Sequence, residues 1–197
     1  MNAPRKRRRL PGVLEPHRCV ILAVDPSQRS SGWALFLDGN LADYGAAPAK
    51  RFDRVREVVL LALELGAEHK RKVVLVGEEW GTGGRLGSAR TSGGLGAAWG
   101  AWKGVALSTT HEGVRIARRR ILRVPTATWR ATFRLHARMG SERLKKGAVR
   151  LANARLGLEL EKGDHDVAEA VLIGVWASRS GEVGSALAPA KRKVATL

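Results

Sequence analysis

The sequence predicts an α/β domain, a mixed sheet flanked by helices, on three observations. Short apolar runs joined by tight turns fill its first quarter, strand and helix patterns alternate in its middle, and helical periodicity dominates its last third. A length of 197 residues suits one compact unit rather than two. With 44% hydrophobic and 27% charged residues, the chain has the apolar content of a folded core, which a disordered basic tail lacks.

The elements follow in order. Residues 1–16 hold the cationic cluster Arg5, Lys6, Arg7, Arg8 and Arg9 between prolines, and read as a flexible arm that follows phosphates; a solubilising or targeting role suits such a cluster equally. The folded body spans 17–178. Residues 19–25 (CVILAVD) form a buried strand that stops at an acid before Pro26. Residues 33–37, the turn signal Asp38-Gly39-Asn40 and residues 41–45 complete a three-strand meander. Between 52 and 69, Val55, Val58, Val59, Ala62 and Leu65 recur at helical spacing among charged residues, which makes an amphipathic helix. Residues 72–79 (KVVLVGEE) are a second apolar strand ending in acids, followed by a glycine-rich loop at 81–87 whose Arg85 is a candidate DNA contact. In 92–109, Gly96, Gly100 and Gly104 recur every fourth residue and form a groove of small residues along a helix, open to close approach by a second helix. Residues 114–124 read as the last strand, 125–128 as a turn capping a helix with Trp129, and 141–156 and 167–178 as helices. Residues 179–197 read as a loose tail.

Thirty-five Lys and Arg stand against 18 Asp and Glu, a net charge of +17, so acidic polymers are the expected partners. Cys19 is the single cysteine, which excludes an internal disulfide and a cysteine-based zinc site and suits a reducing compartment. No apolar stretch is long enough to span a bilayer, and the basic cluster is not followed by the apolar segment of a secretory signal. A soluble, cytoplasmic protein without membrane partners is the expectation.

In so basic a chain, acids at strand ends and helix starts are the informative residues. Asp25 ends the first apolar strand, Glu78 and Glu79 end the second, and Asp166 and Glu169 lie three apart near the start of the last helix, on one face. Each taken alone also suits a turn or a helix terminus. Together they bring carboxylates to one rim of a sheet, where a cluster would repel itself without a hard divalent cation. Mg²⁺ or Mn²⁺, two per site, would clamp both the attacking water and the leaving oxygen of a phosphodiester. Glu78 precedes Glu79 at the strand end, and alternation sends only one of the two toward the cluster. His165 either faces the scissile phosphate or caps the helix.

Three stretches resemble RuvC-type Holliday-junction resolvases of the RNase H-like superfamily. They are Ile21-Leu22-Ala23-Val24-Asp25-Pro26-Ser27 with Ser31-Gly32-Trp33-Ala34, then Val76-Gly77-Glu78-Glu79, then Asp166-Val167-Ala168-Glu169-Ala170. The resemblance covers 19–177. It implies an RNase H-like mixed five-stranded sheet, a metal-binding catalytic quartet of Asp25, Glu78, Asp166 and Glu169, and a homodimer formed through the helix carrying Gly96, Gly100 and Gly104. It also places Arg130 and Lys146 where family members hold DNA. The sequence departs from the family at Glu169, where Asp is usual, and at Gly77, where a bulky residue is usual, which leaves Glu78 against Glu79 open.

The implied activity is a Mg²⁺-dependent, structure-selective endonuclease that resolves four-way DNA junctions by paired symmetric nicks, nucleoid-associated or phage-encoded in a bacterial host. Independently, residues 115–150 contain twelve Lys or Arg against the single acid Glu142. Arg118, Arg119 and Arg120 belong to that run, and its single-sign excess favours phosphate contact. Trp80 and Trp129 are candidates for stacking on an unpaired base, or for the core. The competing classes are another RNase H-like nuclease or strand transferase, separable by a substrate panel in Mg²⁺, and a non-catalytic basic DNA-architecture protein, which would bind junctions without product.

Overall fold

The structure, a computed structural model, describes residues 15–79 and 89–189. The basic cluster at 5–9, Trp80, the glycine-rich loop with Arg85, and the last eight residues lie outside the described residues.

The chain opens with β1 (Val20–Asp25), β2 (Ser30–Leu37) and β3 (Asn40–Pro48), and continues through α1 (Phe52–Glu68) to β4 (Val73–Glu79). Then come α2 (Ala89–Ser108), a short hairpin of β5 (Thr110–His111) and β6 (Val114–Arg115), a 3₁₀ turn at Arg118–Arg120, and β7 (Ile121–Pro125). Helices α3 (Thr126–Thr132), α4 (Ser141–Leu156), α5 (His165–Ala177) and α6 (Gly181–Leu187) follow.

The main sheet is mixed and five-stranded, in the order β3-β2-β1-β4-β7. Strands β1, β4 and β7 run parallel, while β2 and β3 form the antiparallel meander. The β2–β3 connection is the two-residue turn Asp38-Gly39, both residues at positive φ (50° and 86°), a conformation that matches the twist of a hairpin.

Helices cover both faces, and this explains why β1 and β4 are apolar up to their acidic ends instead of alternating with polar residues. Ile21, Ala23, Val74 and Val76 join the core under α3, α4 and α5. Val20, Leu22, Val24, Val73 and Leu75 join the core under α1 and α2. Buried on all sides, α5 is apolar around most of its circumference.

Two expectations need correction. The last strand is not 114–124: Val114–Arg115 pairs with β5 instead, the chain then turns through Arg118–Arg120, and only Ile121–Pro125 enters the main sheet. Nor are residues 179–189 loose, because α6 forms there with Val183 and Ala186 buried. Its cap is Ser180, whose Oγ accepts from the Val183 backbone N–H at 3.2 Å.

Candidate functional site

The period of two along a strand decides which acids meet. Asp25 shares the β1 face of Ile21 and Ala23, and Glu78 shares the β4 face of Val74 and Val76, so both carboxylates point toward α5. Glu79 takes the opposite face, is 42% exposed, and lies 3.7 Å from Arg123 Nη1 on β7. Gly77, the departure noted in the sequence, is explained by α2: a Cβ there would lie 2.1 Å from the Trp99 ring.

Glycine also places α5. Gly32, the β2 partner of Asp25, would put a Cβ 2.0 Å from the Asp166 carbonyl oxygen. Lacking one, it lets the first turn of α5 rest directly on β2 beside Asp25. At the other end of α5, a Cβ on Gly174 would meet the Phe36 ring at 2.1 Å. The helix is thereby held flat on the sheet, with Glu169 aimed at the strand ends.

The result is a buried carboxylate triad. Asp25, Glu78 and Glu169 each offer an oxygen, and these oxygens lie within 4.8 Å of one another. Asp25 is 8%, Glu78 4% and Glu169 7% exposed. Burial, then the charges of Glu78 and Glu169, hold the Asp25 carboxyl well above the usual carboxylate range. Burial pushes Glu169 up to about 7, against the opposing pull of Arg130. Arg130 Nη2 donates to Glu169 Oε2 at 2.7 Å and lies 3.8 Å from Glu78 Oε1.

Among the described residues, Arg130 is the one guanidinium paired with the buried acids, and Asp25 and Glu169 remain raised beside it. An all-oxygen donor set of carboxylates fits a hard divalent cation, and the residues present can hold one. Asp166, the fourth predicted acid, stands one turn before Glu169 at the cleft wall. Its Oδ1 lies 3.0 Å from His165 Nε2, and its charge contributes to the raised Asp25 and Glu169.

Beside the triad opens a cleft of about 600 Å³ whose lining includes Arg29, Arg130, Lys145, His165 and Asp166. Arg130 is positioned from two sides: Thr126 Oγ1 donates to the Glu79 carbonyl at 3.2 Å, tying the start of α3 to the end of β4, and the guanidinium carbon lies 5.1 Å from the centre of the Trp129 ring. Trp129 itself is fully buried and belongs to the core, not to a stacking surface.

The other predicted basic residues separate. Lys146 is exposed and lines an adjoining groove with Lys162 and His165, while its neighbour Lys145 lines the cleft itself. Arg120 bonds the Val73 carbonyl at the opposite end of β4 from Glu78, so the run Arg118–Arg120 does not join the acids. Gly96, Gly100 and Gly104 lie on an exposed face of α2, and a Cβ at any of them would meet nothing within 4 Å.

Sequence reasoning missed Arg29 and Lys145. The first sits in the β1–β2 turn and the second on a helix whose rotation is set by burial of Leu144 and Ala148, and local pattern shows neither orientation.

No protein-family model matches the chain, and no curated protein matches it in sequence. Solved structures do. Thermus thermophilus RuvC in complex with a Holliday-junction substrate superposes with a TM-score of 0.55 at 16% identity, covering 85% of this chain and 97% of that one. A second Thermus thermophilus RuvC structure gives a TM-score of 0.52 at 19% identity, covering 84% and 96%. Yeast mitochondrial resolvase Ydc2 aligns at 0.42 and 8% identity, too distant for argument. With its β3-β2-β1-β4-β7 sheet and its helices disposed as described, the chain has the RNase H-like fold of the RuvC-type Holliday-junction resolvases.

Proposed function

We propose that the chain is a divalent-metal-dependent endonuclease that cuts branched DNA, four-way junctions above all, acting as a homodimer that makes paired symmetric nicks. The observation that carries the reading is the meeting of Asp25, Glu78 and Glu169 within 4.8 Å, in a buried corner that opens onto a cationic cleft. The structural likeness to RuvC, a protein solved on a Holliday-junction substrate, supports the choice of substrate.

Asp25, Glu78 and Glu169 would hold the cation, Mg²⁺ or Mn²⁺, with Asp166 as the fourth acid and two ions as the expected number. When bound, such ions supply Lewis-acid activation of water and neutralise charge on the phosphodiester. The chain's own residues do the rest. Arg29 and Lys145 hold the backbone in the cleft as sequence-independent phosphate contacts. Arg130, whose Nη2 engages Glu169 before DNA arrives, is placed to reach a phosphate at the cleft floor. The His165 ring, held through Nε2 by Asp166, stands at the wall where a proton can be moved. The exposed small-residue face of α2 supports the dimer, whose two-fold symmetry would set two cleavage sites against a two-fold symmetric junction.

The test is cleavage of a synthetic four-way junction in Mg²⁺ by the purified chain and by Asp25→Asn, with both nicks mapped. The wild type should give symmetric nicks only when metal is present. The variant should lose cleavage by a thousandfold or more, on the order of 4 kcal/mol in the barrier, and bind the junction at least as tightly. A variant that still cuts removes Asp25 from the machinery. Metal-dependent cleavage of RNA–DNA hybrid in preference to the junction points to another RNase H-like nuclease, and tight salt-sensitive binding without product to an architectural protein.

A further inference from the structure

We propose that the end of the sheet opposite the acids carries a second phosphodiester-binding site, formed by Lys70, Arg115 and Arg120, which holds the backbone of a nucleic-acid duplex outside the catalytic cleft. The choice of nucleic acid as ligand rests on the nuclease reading; the site itself rests on its own geometry.

A second concavity, of about 530 Å³, lies where the end of α1, the β5–β6 hairpin and the turn before β7 converge, lined by Lys70, Arg71, Lys72, Arg115 and Arg120 with Glu112 as its acid. Two of these cations are already engaged: Arg71 pairs with Asp38 at 2.9 Å, and Lys72 Nζ donates to the Leu187 carbonyl at 2.8 Å. Lys70, Arg115 and Arg120 meet no carboxylate among the described residues.

Arg120 is the anomaly. Its Nη1 donates to the Val73 carbonyl at 3.3 Å and its Nη2 to the Arg115 carbonyl at 3.2 Å, which fixes the guanidinium, while Nε is buried without a partner. Burial, with Arg119 and Arg115 close by, disfavours its charge. A cation held among like charges with a spare donor lacks the acid that a purely structural role would supply, and a bound anion completes it.

Lys70 adds an independent sign. It has φ 52°, the left-handed conformation that follows α1, with its own N–H bonded to the Ala67 carbonyl and that of Arg71 to Gly66. Glycine is the favoured residue in that position. Here a long cationic side chain stands at the rim of the concavity instead. The negative end of α1 favours cations at Lys70 and Arg71, but it does not account for Arg115 or Arg120, which arrive from other elements.

The two sites are separate. Arg120 holds the first residue of β4 and Glu78 stands five residues further along, about 17 Å away at strand rise. No single phosphate bridges them. The site is cationic and has no aromatic side chain in its lining, so it reads backbone and not base sequence.

The test compares the full chain with the double variant Lys70→Gln/Arg115→Gln, leaving Arg120 to hold β4. A control double variant, Lys50→Gln/Arg56→Gln, loses the same charge at the far end of α1. Binding of an unbranched duplex is followed against salt concentration, and acylation of Lys70 is read by mass spectrometry with duplex or with inorganic phosphate present. The site predicts that the salt slope falls by about 2 in the Lys70/Arg115 variant, stays unchanged in the control, and that duplex shields Lys70. Equal loss in both variants identifies diffuse surface charge and overturns the proposal. Shielding by inorganic phosphate without shielding by duplex identifies an isolated anion site and overturns it too. Neither readout involves cleavage, so failure here is distinct from failure of the nuclease reading.

Discussion

Glu169 shows how one residue records the strain of the whole site. Its carboxyl is pushed by burial up to about 7 even though Arg130 donates to it. A folded value above the ordinary 4.5 means the folded chain holds that proton more tightly than the unfolded one. The contribution is therefore fully present below pH 4.5 and is lost as pH rises through 7. Without metal, Glu169→Gln should gain on the wild type across that window, by on the order of 3 kcal/mol at its upper end. Divalent metal should then restore the wild type and not the variant. Urea unfolding at a series of pH values, with chelator and with Mg²⁺, measures this; a stability difference that does not change with pH contradicts it. At this scale the place of Glu78 as the first acid at the strand end made it the better candidate from sequence, with alternation allowing only one of the pair, whereas the reason for Gly77 was not legible. That reason is the Trp99 ring, brought from another element. Lys145 was missed in favour of Lys146 for a related cause: one step around α4 is 100°, and only the burial of Leu144 and Ala148 shows which lysine turns to the cleft.

Elements place the acids, and α5 is the one whose placement is most exposed to a single change. Gly32 contributes no functional group, yet a Cβ there would enter the Asp166 backbone. Gly32→Ala should therefore shift the first turn of α5, destabilise the chain by about 1–3 kcal/mol, and weaken Mn²⁺ binding at least tenfold with every carboxylate still present. Titration calorimetry with Mn²⁺ alongside thermal unfolding checks it; unchanged affinity contradicts the placement argument. The meander and β1, α1 and β4 were legible because their apolar periods are local and strong. The last strand was overextended because nothing local marks Arg118–Arg120 as a turn: Arg120 is bonded to Val73 and Arg115 across the fold. Helix α6 was hidden by its two glycines, although Ser180 was a readable cap.

Across the whole molecule, a charge of +17 is resolved into regions with different surroundings. At one end of the sheet cations line a cleft around buried acids; at the other they meet almost no acid. Between them α2 exposes Gly96, Gly100 and Gly104 along one face. Gly100→Leu tests whether a second copy covers it. Leucine favours helix over glycine by about 1 kcal/mol and meets open space, so the monomer should fold at least as well. Sedimentation should nevertheless show a monomer, and the two nicks in a junction should become uncoupled. A dimer that survives the change removes this face as the interface. No helix among the described residues is long and apolar enough to cross a membrane.

The account turns on a cation seated among Asp25, Glu78 and Glu169. Crystals of the chain soaked in Mn²⁺ and measured at the manganese absorption edge locate such an ion directly. The predicted result is anomalous density within coordinating distance of all three carboxylates, lost in Asp25→Asn. Density confined to other acids, or none at this corner in the wild type, contradicts the account.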